Sequence, residues 1–246
     1  MTSQPPRRAS NAPRHGVARV ISKLGLGSRT QAAEWVREGR VRVNGRVVRD
    51  AELPMRQGVD RIDIDGQESA PARRVVLMLN KPRGLVTTAK DERGRATVYR
   101  CFDGAALPWL APIGRLDKAS EGLLLFSNDP AWAARITDPE LGPSKTYHVQ
   151  IDRVPDAALL ADLEQGAVVE GERLAVRSAR ILRAGGKNAW LEIELDEGRN
   201  RQIRRLLEAF DVSVLRLVRV AIGPLTLSDL AKGRWRLLTS TEIDSL

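Results

Sequence analysis

The sequence predicts an α+β protein: a large body on a mixed, mainly antiparallel sheet, preceded by a small N-terminal α/β module. Three observations predict it. Apolar residues recur at helical spacing near the start, and short strand signals follow them. After residue 74 longer strands and helices mix without regular βαβ alternation. At 246 residues and 42% hydrophobic content, the chain can bury one large core or a small and a medium one.

Residues 1–16 (MTSQPPRRASNAPRHG) are rich in Pro, Arg and small polar types, which predicts a disordered basic tail. Val17, Val20, Ile21 and Leu24 share one helical face, and Gly25 and Gly27 end that helix. Ser28 can cap a second helix running through Ala32, Ala33, Trp35 and Val36 to Gly39. Val41 to Val43, Asn44-Gly45 and Val47-Val48 read as strand, tight turn and strand, and DRIDID at 60–65 as a further strand. Residues 17–66 therefore form one compact unit, and 67–74 (QESAPARR) a linker.

The body spans 75–246. Residues 75–79 and 123–126 are continuous apolar runs, expected at the centre of a sheet. Tyr147, Val149 and Ile151 alternate with polar neighbours, as do Leu191, Ile193 and Leu195, so these strands bury one face. Helices are expected at 130–137, 155–165 and 200–209, and a strand at 214–221. There is no internal repeat.

Forty Lys/Arg against 31 Asp/Glu give a formal +9. Residues 1–49 hold 11 Lys/Arg and 2 Asp/Glu, so the whole excess lies there and the remainder is neutral. A basic end on a neutral body fits a polyanion-binding module or a solubilising tail, and composition leaves both open. Cys101 is the only cysteine, and His15 and His148 lie far apart, which argues against a disulfide or a Cys/His zinc site. One thiol, no apolar run of membrane length and no apolar leader segment point to the cytosol by elimination. Gly-rich phosphate loops and the GxSxG elbow are missing, against nucleotide hydrolysis, hydride transfer and Ser/His catalysis. What remains is cofactor-free chemistry by carboxylate, arginine and tyrosine.

The stretch 114–125 (GRLDKASEGLLL) brackets a polar loop between two glycines and runs into an apolar strand. Asp117 thus sits at the edge of a core on a loop anchored by rigid structure. Arg115 and Lys118 lie beside it in sequence, and nearby positive charge favours an ionised carboxylate, as a nucleophile or general base requires. On these residues alone an ordinary turn aspartate is the favoured reading.

GRLDKASEGLLLFSND resembles the catalytic motif of bacterial ribosomal-RNA pseudouridine synthases of the RsuA/RluB/RluE/RluF type. NKPRG at 80–84 with Val86-Thr87-Thr88, GRATV at 94–98, Lys145-Thr146-Tyr147, EGRNRQIRR at 197–205, LRLVR at 215–219 and Ile222-Gly223-Pro224 resemble further family segments, in the family's order. Ser28-Arg29, Gly39-Arg40-Val41 and Val43-Asn44-Gly45 resemble the family's accessory alpha-L (S-four-type) RNA-binding domain. Ser120 and Ala119 depart from the commonest residues at their positions.

The resemblance implies the pseudouridine synthase fold and isomerisation of a flipped-out uridine in structured, ribosomal RNA without a cofactor; the sequence carries no signal of oligomeric state, and a monomer is assumed. It implies Asp117 as the catalytic carboxylate, Arg115 in the space that the flipped nucleotide vacates or against that nucleotide's backbone, and Tyr147 under the uracil. Arg204 would pair with Asp117, while Lys81, Pro82 and Ile203 would shape the pocket. Lys23, Arg29, Arg37, Arg40 and Arg42 would contact phosphates. The alternative is a non-catalytic RNA-binding or ribosome-assembly factor that keeps the fold.

Overall fold

The computed structural model describes residues 13–246, which divide into two compact units: one through Arg74 together with Asn128–Pro130, the other comprising Val75–Ser127 and Ala131–Leu246.

In the first unit, β1 (Arg14–Gly16) leads into α1 (Val17–Lys23) and α2 (Arg29–Arg37). Ser28 caps α2 as its side chain suggests: its Oγ accepts from Gln31 N at 3.0 Å, and Gln31 Oε1 accepts from Ser28 N at 3.0 Å. Next come β2 (Val41–Val43), β3 (Arg46–Val47), β4 (Pro54–Arg56), β5 (Ile62–Ile64) and β6 (Gln67–Glu68). The turn between β2 and β3 takes Asn44 to φ 49° and Gly45 to φ 81°, the left-handed pair that a two-residue hairpin needs. Val17, Val20, Ile21, Ala32, Val36, Val41, Met55 and Ile62 form this unit's core.

Two expectations are corrected here. Order begins before Val17, because Arg14–Gly16 pairs antiparallel with β4; residues 1–12 of the expected tail lie outside the described residues. Gln67 and Glu68 belong to the sheet rather than the linker, because they pair with β5. Both strands are short and polar, and only their partners reveal them.

The second unit is built on β7 (Val76–Lys81), β8 (Ala111–Ile113), β9 (Glu121–Ser127), β10 (Lys145–Ile151), the hairpin β11 (Ala167–Val169) and β12 (Glu172–Leu174), β13 (Ser178–Ala184), β14 (Ala189–Leu195), β15 (Val214–Ile222), β16 (Leu225–Thr226) and β17 (Trp235–Leu237). Its helices are α3 (Pro130–Thr137), α4 (Ala157–Gln165), α5 (Gln202–Glu208) and α6 (Ser240–Asp244). The main sheet runs β13-β14-β10-β15-β9-β7-β17, with β16 beside β15 and β8 beside β9. Every described pairing in it is antiparallel except β15 with β9.

Burial explains the two strand textures. Leu77, Leu79, Leu124 and Phe126 enter one core, and Val76, Met78, Leu123 and Leu125 the other, so β7 and β9 are covered on both faces. In β10 and β14 only Tyr147, Val149, Ile151, Ala189, Leu191, Ile193 and Leu195 are buried, and alternation follows.

Candidate active site

The polar loop 114–120 joins β8 to β9, and its backbone is held from behind by the segment that follows β7. Lys81, the last residue of β7, is fully buried. Its Nζ donates to Ser120 O at 2.8 Å, Asp117 O at 3.0 Å and Pro82 O at 3.2 Å, using all three ammonium protons. Gly84 N donates to Lys118 O at 2.7 Å. Thr87 Oγ1 donates to Leu116 O at 2.7 Å and accepts from Leu116 N at 3.3 Å. Leu116 itself is buried. The NKPRG and VTT segments therefore clamp the loop through its main chain, leaving the Asp117 carboxylate free to face outward.

Asp117 lines a cleft of about 670 Å³, together with Arg115, Ser120, Lys145, Tyr147, Arg201, Ile203, Arg204 and Arg219. Its carboxylate is one-third exposed, and Oδ2 lies 3.6 Å from Arg201 Nη1. Tyr147 is buried in the core except where it meets the cleft. Arg115 is exposed on the same loop as Asp117 and has no ion pair among the described residues.

Three of the expected placements change. The ion pair assigned to Arg204 is formed instead by Arg201, which stands just before α5 in the left-handed region at φ 49° and ψ 29°. That conformation is uncommon outside glycine and costs on the order of 1 kcal/mol or more, and here it accompanies the Arg201–Asp117 contact. Arg204 is half-buried in the first turn of α5, and its Nη1 donates to Val214 O at 3.2 Å. Its Nε is buried with no hydrogen-bond partner among the described residues. Burial and then Arg201 push the Arg204 guanidinium below its ordinary pKa, while Asp117 opposes them, so the two groups still feel one another.

Lys81 and Pro82 do not line the cleft, because Lys81 points under the loop; Ile203 does line it. Arg40 is not a free phosphate ligand. It forms a two-pronged pair with Asp65 (2.9 and 2.7 Å) and lies over the Trp35 ring, which recruits it to the fold of the first unit. Lys23, Arg29, Arg37 and Arg42 are exposed; Lys23 Nζ lies 2.9 Å from His15 Nε2, and Arg42 donates to Gly45 O at 3.3 Å.

The remaining arginines of the 197–205 segment are structural. Arg199 pairs with Glu197 (2.8 Å) and Glu172 (3.1 Å), and Arg205 with Glu172 (2.8 Å) and Glu170 (3.1 Å), tying the segment to the β11–β12 hairpin. Buried Gln202 accepts from Arg199 N and donates to Ala175 O, so the backbone that carries Arg201 is fixed.

Lys145 and Arg219 are cleft residues that the sequence reading missed. Lys145 lies two residues before Tyr147, and Arg219 opposite Tyr147 in the β10–β15 register. Arg219 is buried and donates from Nε to Leu123 O at 2.7 Å, with no carboxylate partner among the described residues. Burial, then Arg219, lowers the Lys145 pKa, partly offset by Asp196. Period-two spacing from Tyr147 and Leu217 was the available signal for both.

Lys81 carries a pH prediction. Burial holds its pKa at about 8, against the pull of Asp117 and Glu121, below the ordinary 10.5. Between those values the unfolded chain binds a proton that the folded chain has released, so this group adds stability as pH rises. The wild type should gain up to about 3 kcal/mol relative to Lys81→Met between pH 7.5 and 10.5, measured by urea unfolding. Over the same range the neutral amine has only two protons for three carbonyls, so single-turnover activity should fall. A stability difference that is flat across this range would show that the lysine is not held as described.

Among the described residues no group of three or more His, Cys, Asp and Glu could hold a metal ion, and no helix is long and apolar enough to cross a membrane. Residues 75–209 match the family model for RNA pseudouridylate synthase, and residues 17–59 match that for the S4 domain. The chain is 36% identical over 231 residues to an Aquifex aeolicus protein described as an uncharacterized RNA pseudouridine synthase, covering 94% of this chain and 92% of that protein. It is 35% identical over 230 residues to the Bacillus subtilis ribosomal large subunit pseudouridine synthase B, covering 93% of each. A crystal structure of a pseudouridylate synthase superposes with TM-score 0.65 at 30% identity, covering 94% of this chain and 99% of that one. A clamped aspartate loop facing an aromatic and arginine-lined cleft, a family model over more than half the sequence and relatives matched nearly end to end agree: this chain belongs to the RNA pseudouridylate synthase family.

Proposed function

We propose that this protein isomerises uridine to pseudouridine in ribosomal RNA, with Asp117 as the acting carboxylate. The observation that carries this reading is the convergence on one cleft of an outward-facing aspartate, a cationic partner at 3.6 Å and a tyrosine that is buried but for its cleft side. The reaction breaks the C1′–N1 bond, turns the detached uracil and rejoins it through C5. Asp117 serves it either by attacking C1′ or by taking the 2′ proton; both routes use one ionised carboxylate.

Reaching C1′ requires the nucleotide to leave its stack. In this proposal Arg115 enters the vacated space and Tyr147 stacks on the uracil, a contact worth about 1–3 kcal/mol. Arg201 pairs with Asp117 and aims it, and Arg204 stands near enough to feel its charge. The electron pair of the broken bond departs on the base, and the cations Lys145 and Arg219, neither of which forms a carboxylate ion pair among the described residues, line the cleft that would face it. The S4 unit holds structured RNA by its phosphates, through exposed Lys23, Arg29, Arg37 and Arg42. The enzyme acts as a monomer in the cytosol, without a cofactor.

Mapping pseudouridines in ribosomal RNA from cells with and without the gene tests the proposal. Loss of pseudouridine at one position or a small set of positions, restored by the wild-type gene, is expected. Identical maps would reject ribosomal RNA as the substrate.

A further inference from the structure

Leu141 is 89% exposed, the most exposed of the large hydrophobic residues described; the next, Val168, is 69% exposed. A single exposed leucine is ordinary on a protein surface. The loop that carries it makes this one unusual. Between α3 and β10 the Asp138 carboxylate accepts the N–H groups of Glu140 and Leu141, each at 2.9 Å, and Gly142 N donates to Asp138 O at 3.1 Å. A Cβ on Gly142 would sit 2.4 Å from Asp138 O, so the turn is as tight as glycine allows. Downstream, Gly223 N donates to Ser144 O at 2.8 Å. The apolar side chain is therefore held in water by a pinned backbone.

That loop borders the cleft. Thr137, Asp138 and Pro139 line it beside Arg115 and Asp117, and a Cβ on Gly114 would meet Thr137 Cγ2 at 3.8 Å, so the two loops are neighbours. Turning a nucleotide out of a helix bares the faces of both adjacent bases. Apolar side chains inserted at such steps replace part of the lost stacking.

We propose that Leu141 is an apolar wedge that covers the bared face of a base next to the target uridine, while Arg115 occupies the gap from the catalytic loop. The inference rests on the uridine-isomerising reading above and adds to it a residue that works on RNA opening rather than on bond chemistry.

The test uses the full chain and two RNA hairpins carrying the uridine identified by mapping. In one the uridine is paired; in the other it stands opposite an abasic position and is already unstacked. Leu141→Ala should slow single-turnover isomerisation of the paired substrate by about tenfold, the scale of one lost aliphatic contact. The unstacked substrate should lose less than about twofold, and Leu141→Phe should retain the wild-type rate on both. 2-Aminopurine beside the target should brighten less with Leu141→Ala than with the wild type. Equal losses on the two hairpins, or none on either, would overturn the wedge. Failure of the wild type on both would instead overturn the uridine-isomerising reading.

Discussion

Asp117→Asn should abolish pseudouridine formation, by at least about 10³-fold in single-turnover rate, while RNA affinity stays within about twofold. The substitution keeps the side chain's size and removes only its charge and basicity. The loop does not rest on that charge, although buried Lys81 and half-buried Arg204 feel it. The loop is held by main-chain contacts from Lys81, Gly84 and Thr87 rather than through the carboxylate. The only ion pair of Asp117 among the described residues is the 3.6 Å approach of half-exposed Arg201, which contributes little in water. The variant should therefore fold and melt like the wild type, and phosphate contacts, which dominate RNA affinity, are untouched. Chemical mapping of pseudouridine, alongside a filter-binding isotherm, separates the outcomes. Full activity in the variant would remove Asp117 from the chemistry and restore the reading of a non-catalytic RNA-binding factor.

The largest loss of stability is expected from Gly122→Ala. Gly122 stands at φ 101° in β9, where it pairs with Arg219 in the sheet's parallel contact. A Cβ there would lie 2.2 Å from Arg219 O and 2.8 Å from Arg219 N, backbone atoms that cannot swing aside. The left-handed strain alone costs about 1–3 kcal/mol, and parting β9 from β15 adds the loss of their pairing. A total of at least about 3 kcal/mol is expected, a large share of the 5–15 kcal/mol typical of a folded domain.

The damage would also reach the cleft. Gly122 follows Ser120 and Glu121 directly, and buried Glu121 is held by Arg216 at 3.1 Å and by Lys232. Burial alone would raise the Glu121 pKa, but hydrogen bonds from those two cations lower it, so this is a satisfied ion cluster that a strand shift would break. Urea unfolding of the variant should show the lower midpoint. A change under about 1 kcal/mol would mean that the two strands can separate locally at little cost.

Much of the fold could be read from local pattern. The capping box at Ser28, the Asn44-Gly45 hairpin and the two kinds of strand each depend on residues a few positions apart, and the structure contains them. The short strands Arg14–Gly16, Gln67–Glu68 and Ala111–Ile113 were not legible, because they hold too few residues to show a period and exist through their partners. At the site, Asp117, Arg115 and Tyr147 were named through the likeness of whole segments, since spacing alone left Asp117 an ordinary turn residue. Lys81 was expected in the pocket and lies beneath it: a lysine ending an apolar strand reads the same whether it faces a cleft or the underside of a loop 36 residues away.

The sequence by itself determined which side chains share a strand face, where helices begin, and which carboxylate, arginine and tyrosine positions stand in the segments that resemble the family. Those properties follow from backbone periods and from the residue types themselves. Only the tertiary structure decided that Arg201 rather than Arg204 meets the carboxylate, that Arg199, Arg205 and Arg40 are bound into ion pairs, and that Lys145 and Arg219 join the cleft. Four arginines within seven residues are equivalent in sequence. They are told apart by a left-handed turn at Arg201, a hairpin that claims two of them and a strand carbonyl that claims another, and those contacts come from distant parts of the chain.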